Sequence, residues 1–154
     1  MAEFERVTVV RPYAEKFRKQ IFSILEAAGL HIHSRDIIPS DTTDEQVLKL
    51  LAVRRDCTLL IPFHGHMNKN KNLVNGITLY RSVYDHLPEM RGCPVVMPVD
   101  KFSAEVVEAL VKLMAVDTVM LISEDELTTP DEVSQRVRAH VEGFRLKRQS
   151  NSAS

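Results

Sequence analysis

The chain has no run of about 18 apolar residues, so no transmembrane helix is expected. It has no excess of either charge: 20 Lys and Arg stand against 21 Asp and Glu, a net charge of −1, with no global pull toward nucleic acid or membrane. It has two cysteines, Cys57 and Cys93, without the close spacing of a metal or redox pair. Each opens an apolar, strand-like run, as expected of buried free thiols in a reducing cytoplasm. Glycine is scarce, at 5 of 154 residues, and no P-loop, Gly-x-Gly-x-x-Gly or Gly-x-Ser-x-Gly pattern occurs. Met1 to Arg6 lack the basic-then-apolar layout of a signal peptide. No repeat or low-complexity segment is visible.

What is present is an ordinary globular composition, 44% hydrophobic and 27% charged, enough to bury one core. The pattern alternates strand and helix. Arg6–Val10 is a β-branched run, and Ala14–Ala28 places Phe17, Ile21, Ile24, Leu25 and Ala28 at helical spacing before Gly29. Leu30–Ile38 alternates like a second strand. Asp41 or Thr43 caps a helix whose stripe is Val47, Leu50 and Leu51. Asp36, Asp41, Asp44 and Glu45 are read as capping and solvated residues. Cys57–Phe63 is a strand buried on both faces, followed by a long polar loop from His64 to Gly76 and a helix from Ile77 to Leu87.

Cys93–Val99 is the fourth strand, with Pro98 marking its end. Ser103 caps a helix with the stripe Val106, Val107, Leu110, Val111 and Met114. Asp117–Ser123 is the fifth strand, and Thr129-Pro130 opens the last helix, which buries Val133, Val137, Val141 and Phe144. Such alternation requires right-handed parallel crossovers. The expected fold is α/β, a three-layer α/β/α sandwich of flavodoxin type, with a five-stranded parallel sheet of order 2-1-3-4-5. Residues 1–146 form one domain and residues 147–154 a flexible tail. The polar tail also admits a structural domain cut from a longer chain.

This order of pieces resembles a response-regulator receiver domain (a CheY-like fold) from Arg6 to Phe144. The resemblance rests on Arg6–Val10 with its helix ending Ile24-Leu25-Glu26-Ala27-Ala28-Gly29, on Cys93-Pro94-Val95-Val96-Met97, and on Ala115-Val116-Asp117-Thr118. It implies an acidic pair after the first strand, where Arg11 and Pro12 stand. It implies a phosphoacceptor Asp at the end of the third strand, where Ile61 or Pro62 stands. Val99 occupies the place of a Thr or Ser, with Asp100 one position on, and Ile122-Ser123 occupies that of a Lys. The resemblance therefore implies a degenerate pseudo-receiver without aspartyl-phosphate chemistry, acting as a signalling or scaffold domain through a partner protein. It also implies a homodimer through the fourth and fifth helices and the strand between them.

A second resemblance is to TIR-like flavodoxin-fold domains, on Asp56–Pro62 followed by a long polar loop and a Tyr/Arg helix. It leads to the alternative function, a nucleotide- or small-anion-binding domain, an enzyme included. The candidate ligand-binding residues are Arg11, His64, Gly65, His66, Lys69, Lys71, Asp100 and Glu124. Arg11, His64, His66, Asp100 and Glu124 fall at one edge of the expected sheet. Lys69 and Lys71 offer charge to a phosphate. His64 and His66 have metal-ligand spacing, but no third ligand is predictable and Gly65 loosens the geometry, so neither metal nor cofactor is expected. No catalytic residue is assigned. The basic positions Arg136, Arg138, His140, Arg145, Lys147 and Arg148 lack interleaved aromatics, which argues against nucleic acid. The expected location is cytoplasmic.

Overall fold

Five β-branched and aliphatic runs form the centre of the molecule, and each is followed by a helix that returns across the sheet. The computed structural model describes residues 6–54, 59–66, 73–114 and 117–153. In chain order the elements are β1 (Val7–Val10), α1 (Glu15–Ala27), β2 (Ile37–Ile38), α2 (Asp44–Val53), β3 (Leu59–Pro62), β4 (Gly65–His66), β5 (Leu73–Val74), α3 (Gly76–His86), β6 (Val95–Val99), α4 (Ala104–Met114), β7 (Val119–Ser123) and α5 (Pro130–Ala153). The main sheet has the order β2-β1-β3-β6-β7, parallel throughout. Counted among its own five strands this is the expected order 2-1-3-4-5. Alternate side chains along the strands feed two cores. Val7, Val9, Leu59, Ile61, Val96 and Ile122 pack with α1 and α5, whereas Val10, Leu60, Val95, Met97 and Val99 pack with α2, α3 and α4.

Several boundaries differ from the sequence reading. The second strand is only Ile37–Ile38, because Ser34–Asp36 form a 3₁₀ turn. Asp36 is buried rather than solvated, with Arg6 Nε donating to it at 2.8 Å. The central strand is described from Leu59; Cys57 lies outside the described residues. The fourth strand begins at Val95, and Pro98 lies inside it, paired with Ile122. Pro98 still contributes its carbonyl, which accepts from the His64 N–H at 2.9 Å. Cys93 is buried, and its thiol donates to the Pro94 carbonyl at 3.6 Å.

The polar loop after β3 contains a short antiparallel hairpin, Gly65 and His66 against Val74 and Leu73. On α4 only Val107 of the expected stripe is fully buried; Val106 and Leu110 are exposed. The backbone of α5 is helical from Pro130 to Ala153. Among the described residues no helix is long and apolar enough to cross a membrane.

Candidate functional site

In a parallel sheet the carboxyl ends of the strands share one edge, and ligands of such folds bind there. At this edge β1 runs into Arg11, β3 into Phe63 and His64, β6 into Asp100, and β7 into Glu124.

Arg11 leaves the sheet in a left-handed conformation, φ 55°. Its buried guanidinium is held at the start of α2, donating from Nη2 to Asp44 Oδ1 at 2.6 Å and from Nε to the Thr42 carbonyl at 2.8 Å. The turn that follows has a second left-handed residue, Ala14, φ 53°. Between them sits Tyr13, which the sequence reading passed over as a loop residue. Its ring lies 5.5 Å from Phe17 and 5.9 Å from Phe63, centroid to centroid, and Phe17 and Phe63 are 5.8 Å apart. This aromatic cluster roofs the end of β3. The signal for it was the i,i+4 spacing of Tyr13 and Phe17, which extends the apolar stripe of α1 by one turn.

His64 is buried and bridges β3 to β6. Its N–H donates to Pro98, and its carbonyl accepts from Tyr13 Oη at 2.8 Å and from the Asp100 N–H at 3.3 Å. Nδ1 accepts from the Ile77 N–H at 3.3 Å, so the ring helps to satisfy the first turn of α3. Asn75 caps the same helix, its side chain accepting from the Thr78 N–H at 3.1 Å.

Gly65 has φ +148°, and a Cβ there would fall 1.9 Å from Tyr13 Oη and 2.7 Å from Asp100 Oδ2. Only glycine permits this approach. Asp100 closes the turn that leads into α4, Oδ1 accepting from the Ser103 N–H at 2.8 Å. Glu124 accepts from the Lys101 N–H at 3.1 Å. Burial, together with the charges of Asp100 and Glu124, pushes the Tyr13 phenol well above its ordinary value, so the hydroxyl remains a donor.

The fold thus brings His64, Gly65, Asp100 and Glu124 to one edge beside Tyr13, and holds the Arg11 side chain on Asp44 and Thr42 at the start of α2. His66 lies in β4, and Lys69 and Lys71 lie outside the described residues.

Magnesium of the kind a receiver holds takes several oxygen ligands, usually carboxylates. The ends of β1 and β3 provide a guanidinium and the buried apolar side chains of Ile61, Pro62 and Phe63 instead. These residues do not fit the ion. No group of three or more His, Cys, Asp or Glu among the described residues is arranged to hold a metal.

The REC domain of AraT, a response regulator from Geobacillus stearothermophilus, superimposes over 95% of this chain and 97% of its own length, with a TM-score of 0.54 and 17% identity. The chain has a receiver-like fold. At that identity the likeness establishes the architecture alone. No protein-family model matches the sequence, and no curated protein matches it.

Proposed function

We propose that the chain is a receiver-like signalling or scaffold domain that cannot be phosphorylated and acts by binding another protein, in the cytoplasm. The end of β3 carries this reading. Aspartyl phosphorylation needs an accessible carboxylate there with its charge neutralised by a cation. Ile61, Pro62 and Phe63 are buried at that end, the last beneath Tyr13 and Phe17. At the end of β1, where a carboxylate would help to hold magnesium, the guanidinium of Arg11 is fixed on Asp44. Asp100 and Glu124, just past β6 and β7, bring carboxylates to this edge, where they accept from the Ser103 and Lys101 N–H groups. Their negative charge also disfavours the alternative of a nucleotide or small anion in this crevice.

The test is incubation with acetyl phosphate and Mg²⁺, read by intact mass, and with beryllofluoride and Mg²⁺, read by amide chemical shifts. The mass is expected to stay constant and the shifts around His64 and Asp100 to stay fixed. A phosphoryl adduct, or saturable shifts at this edge, would sink the reading.

A further inference from the structure

The sheet ends differently on its two sides. Its edge β2 has two residues, entered from a 3₁₀ turn and followed by Pro39, which keeps it short and blunt. The other edge, β7, has five residues, Val119-Met120-Leu121-Ile122-Ser123, with no charge, proline or glycine. Every residue of β1, β3 and β6 is buried, whereas in β7 only Ile122 is. The Val95 N–H donates to the Thr118 carbonyl at 2.9 Å, so Thr118, Met120 and Ile122 turn their main chain toward β6. Val119, Leu121 and Ser123 therefore turn theirs outward. Glu126 Oε1 accepts from the outward Ser123 N–H at 3.5 Å. Among the described residues nothing pairs with the outward N–H and carbonyl groups of Val119 and Leu121.

We infer that β7 receives an extended, basic segment of a partner protein as a sixth strand of the sheet. The inference rests on the reading of the chain as a protein-binding domain and names the partner's chemistry. Two unpaired donor–acceptor sets, roughly 7 Å apart along the strand, are matched by another extended main chain. A helix does not match them, because its own main-chain groups are bonded within it.

The surroundings select the charge. Asp117 precedes the strand, Glu124, Asp125 and Glu126 follow it, and no Lys or Arg occurs from Asp117 to Gln135. Beside the edge a cavity of about 250 Å³ lies between β7 and α4, with Val99, Ala104 and Leu121 as its apolar lining and Glu108 and Glu126 as its acidic one. Val119 and Leu121 turn their side chains to the α4 side of the sheet, and alternate side chains of an added strand lie on that side too. There the aliphatic stem of a Lys or Arg meets the apolar lining and its head group the carboxylates. Lys112 and Arg136 pair with Glu108 and Glu126, but both cations are more than half exposed, so exchange for a partner's cation costs little.

The probe is a short capped peptide alternating Lys and Val, added to the full chain and followed by amide chemical shifts and hydrogen exchange. Saturable shifts should centre on β7. Before addition the N–H groups of Val119 and Leu121 should exchange quickly and those of Met120 and Ile122 slowly. In the complex Val119 and Leu121 should slow by roughly tenfold or more. The same peptide N-methylated at every amide keeps its charge and loses its donors, and should bind more weakly by roughly tenfold or more. A peptide alternating Glu and Val should not bind. Glu108→Lys with Asp125→Lys, both at exposed positions, should leave the melting temperature unchanged and weaken binding of the Lys and Val peptide by about tenfold.

Absence of binding by the Lys and Val peptide would overturn the inference. So would equal affinity for the N-methylated peptide, which marks an acidic surface only, undiminished binding by the double variant, or unchanged exchange at Val119 and Leu121 in the complex. Protection of these two amides that grows with protein concentration before any peptide is added would assign the edge to a second copy and overturn it too. None of these results bears on phosphorylation, which the beryllofluoride experiment decides separately.

Discussion

Gly65 is the residue with least freedom to change. Alanine there would add a Cβ 1.9 Å from the Tyr13 hydroxyl and hold a side chain at φ +148°. Gly65→Ala is expected to cost roughly 2–4 kcal/mol through overpacking and backbone strain. Tyr13→Phe removes one buried hydrogen bond to the His64 carbonyl and should cost about 1 kcal/mol. The double variant should be less damaged than the two costs added together, because the hydroxyl that alanine strikes is gone. Urea unfolding at the four corners of the cycle measures this, and simple additivity would mean that the chain relieves the clash some other way. His64-Gly65 was legible in the sequence as a group at a strand end, because the apolar run stops there abruptly. The role of Tyr13 was not, since nothing in a four-residue turn shows that its hydroxyl meets a carbonyl 51 residues away.

Among the elements, α2 is tied to the sheet edge by a contact that hydropathy cannot reveal. Arg11 and Asp44 are 33 residues apart, and each looks like an ordinary surface charge in the sequence. The guanidinium is buried while Asp44 is half-exposed, so the two ends of the pair are not equivalent. Asp44→Ala strands a buried cation and should cost about 2–3 kcal/mol. Arg11→Met keeps much of the apolar stem and leaves a carboxylate that water can reach, and should cost about 1–2 kcal/mol. Chemical denaturation of both variants gives the order; the reverse order would mean that Arg11 acts chiefly through its bond to the Thr42 carbonyl. The helix α4 shows the complementary limit. Its period marked Val106 and Leu110 as residues that avoid water, and that period is the same whether a core or a second molecule covers them. The strand β2 was overextended for a related reason: Leu30 and Ile32 alternate with His31 and His33 as strand residues would, yet they pack on the α1–α5 core without joining a strand.

For the molecule as a whole, strand order was readable because five apolar runs separated by helices leave few topologies, whereas pH sensitivity depends on burial that no run of letters displays. His140 of α5 donates from Nε2 to the Thr118 carbonyl at 2.8 Å, where the chain enters β7. Burial lowers its pKa from the ordinary 6.5, against smaller upward pulls from its backbone hydrogen bonds and from the charge of Asp117. The folded chain therefore resists a proton that the unfolded chain accepts. Its contribution to stability is complete above pH 6.5 and is lost as pH falls through 6.5 toward the lower folded value, because the unfolded state then binds more protons. Other ionisable groups contribute to the wild-type slope, so it alone does not isolate His140. His140→Gln does, because its amide N–H can still donate to Thr118 and carries no titration. Unfolding free energies measured from about pH 5 to about pH 8 should converge less steeply toward the acid side in the variant. Wild type should lose stability relative to the variant within that window and not above it; parallel curves would mean that His140 is charged in the folded chain as readily as in the unfolded one.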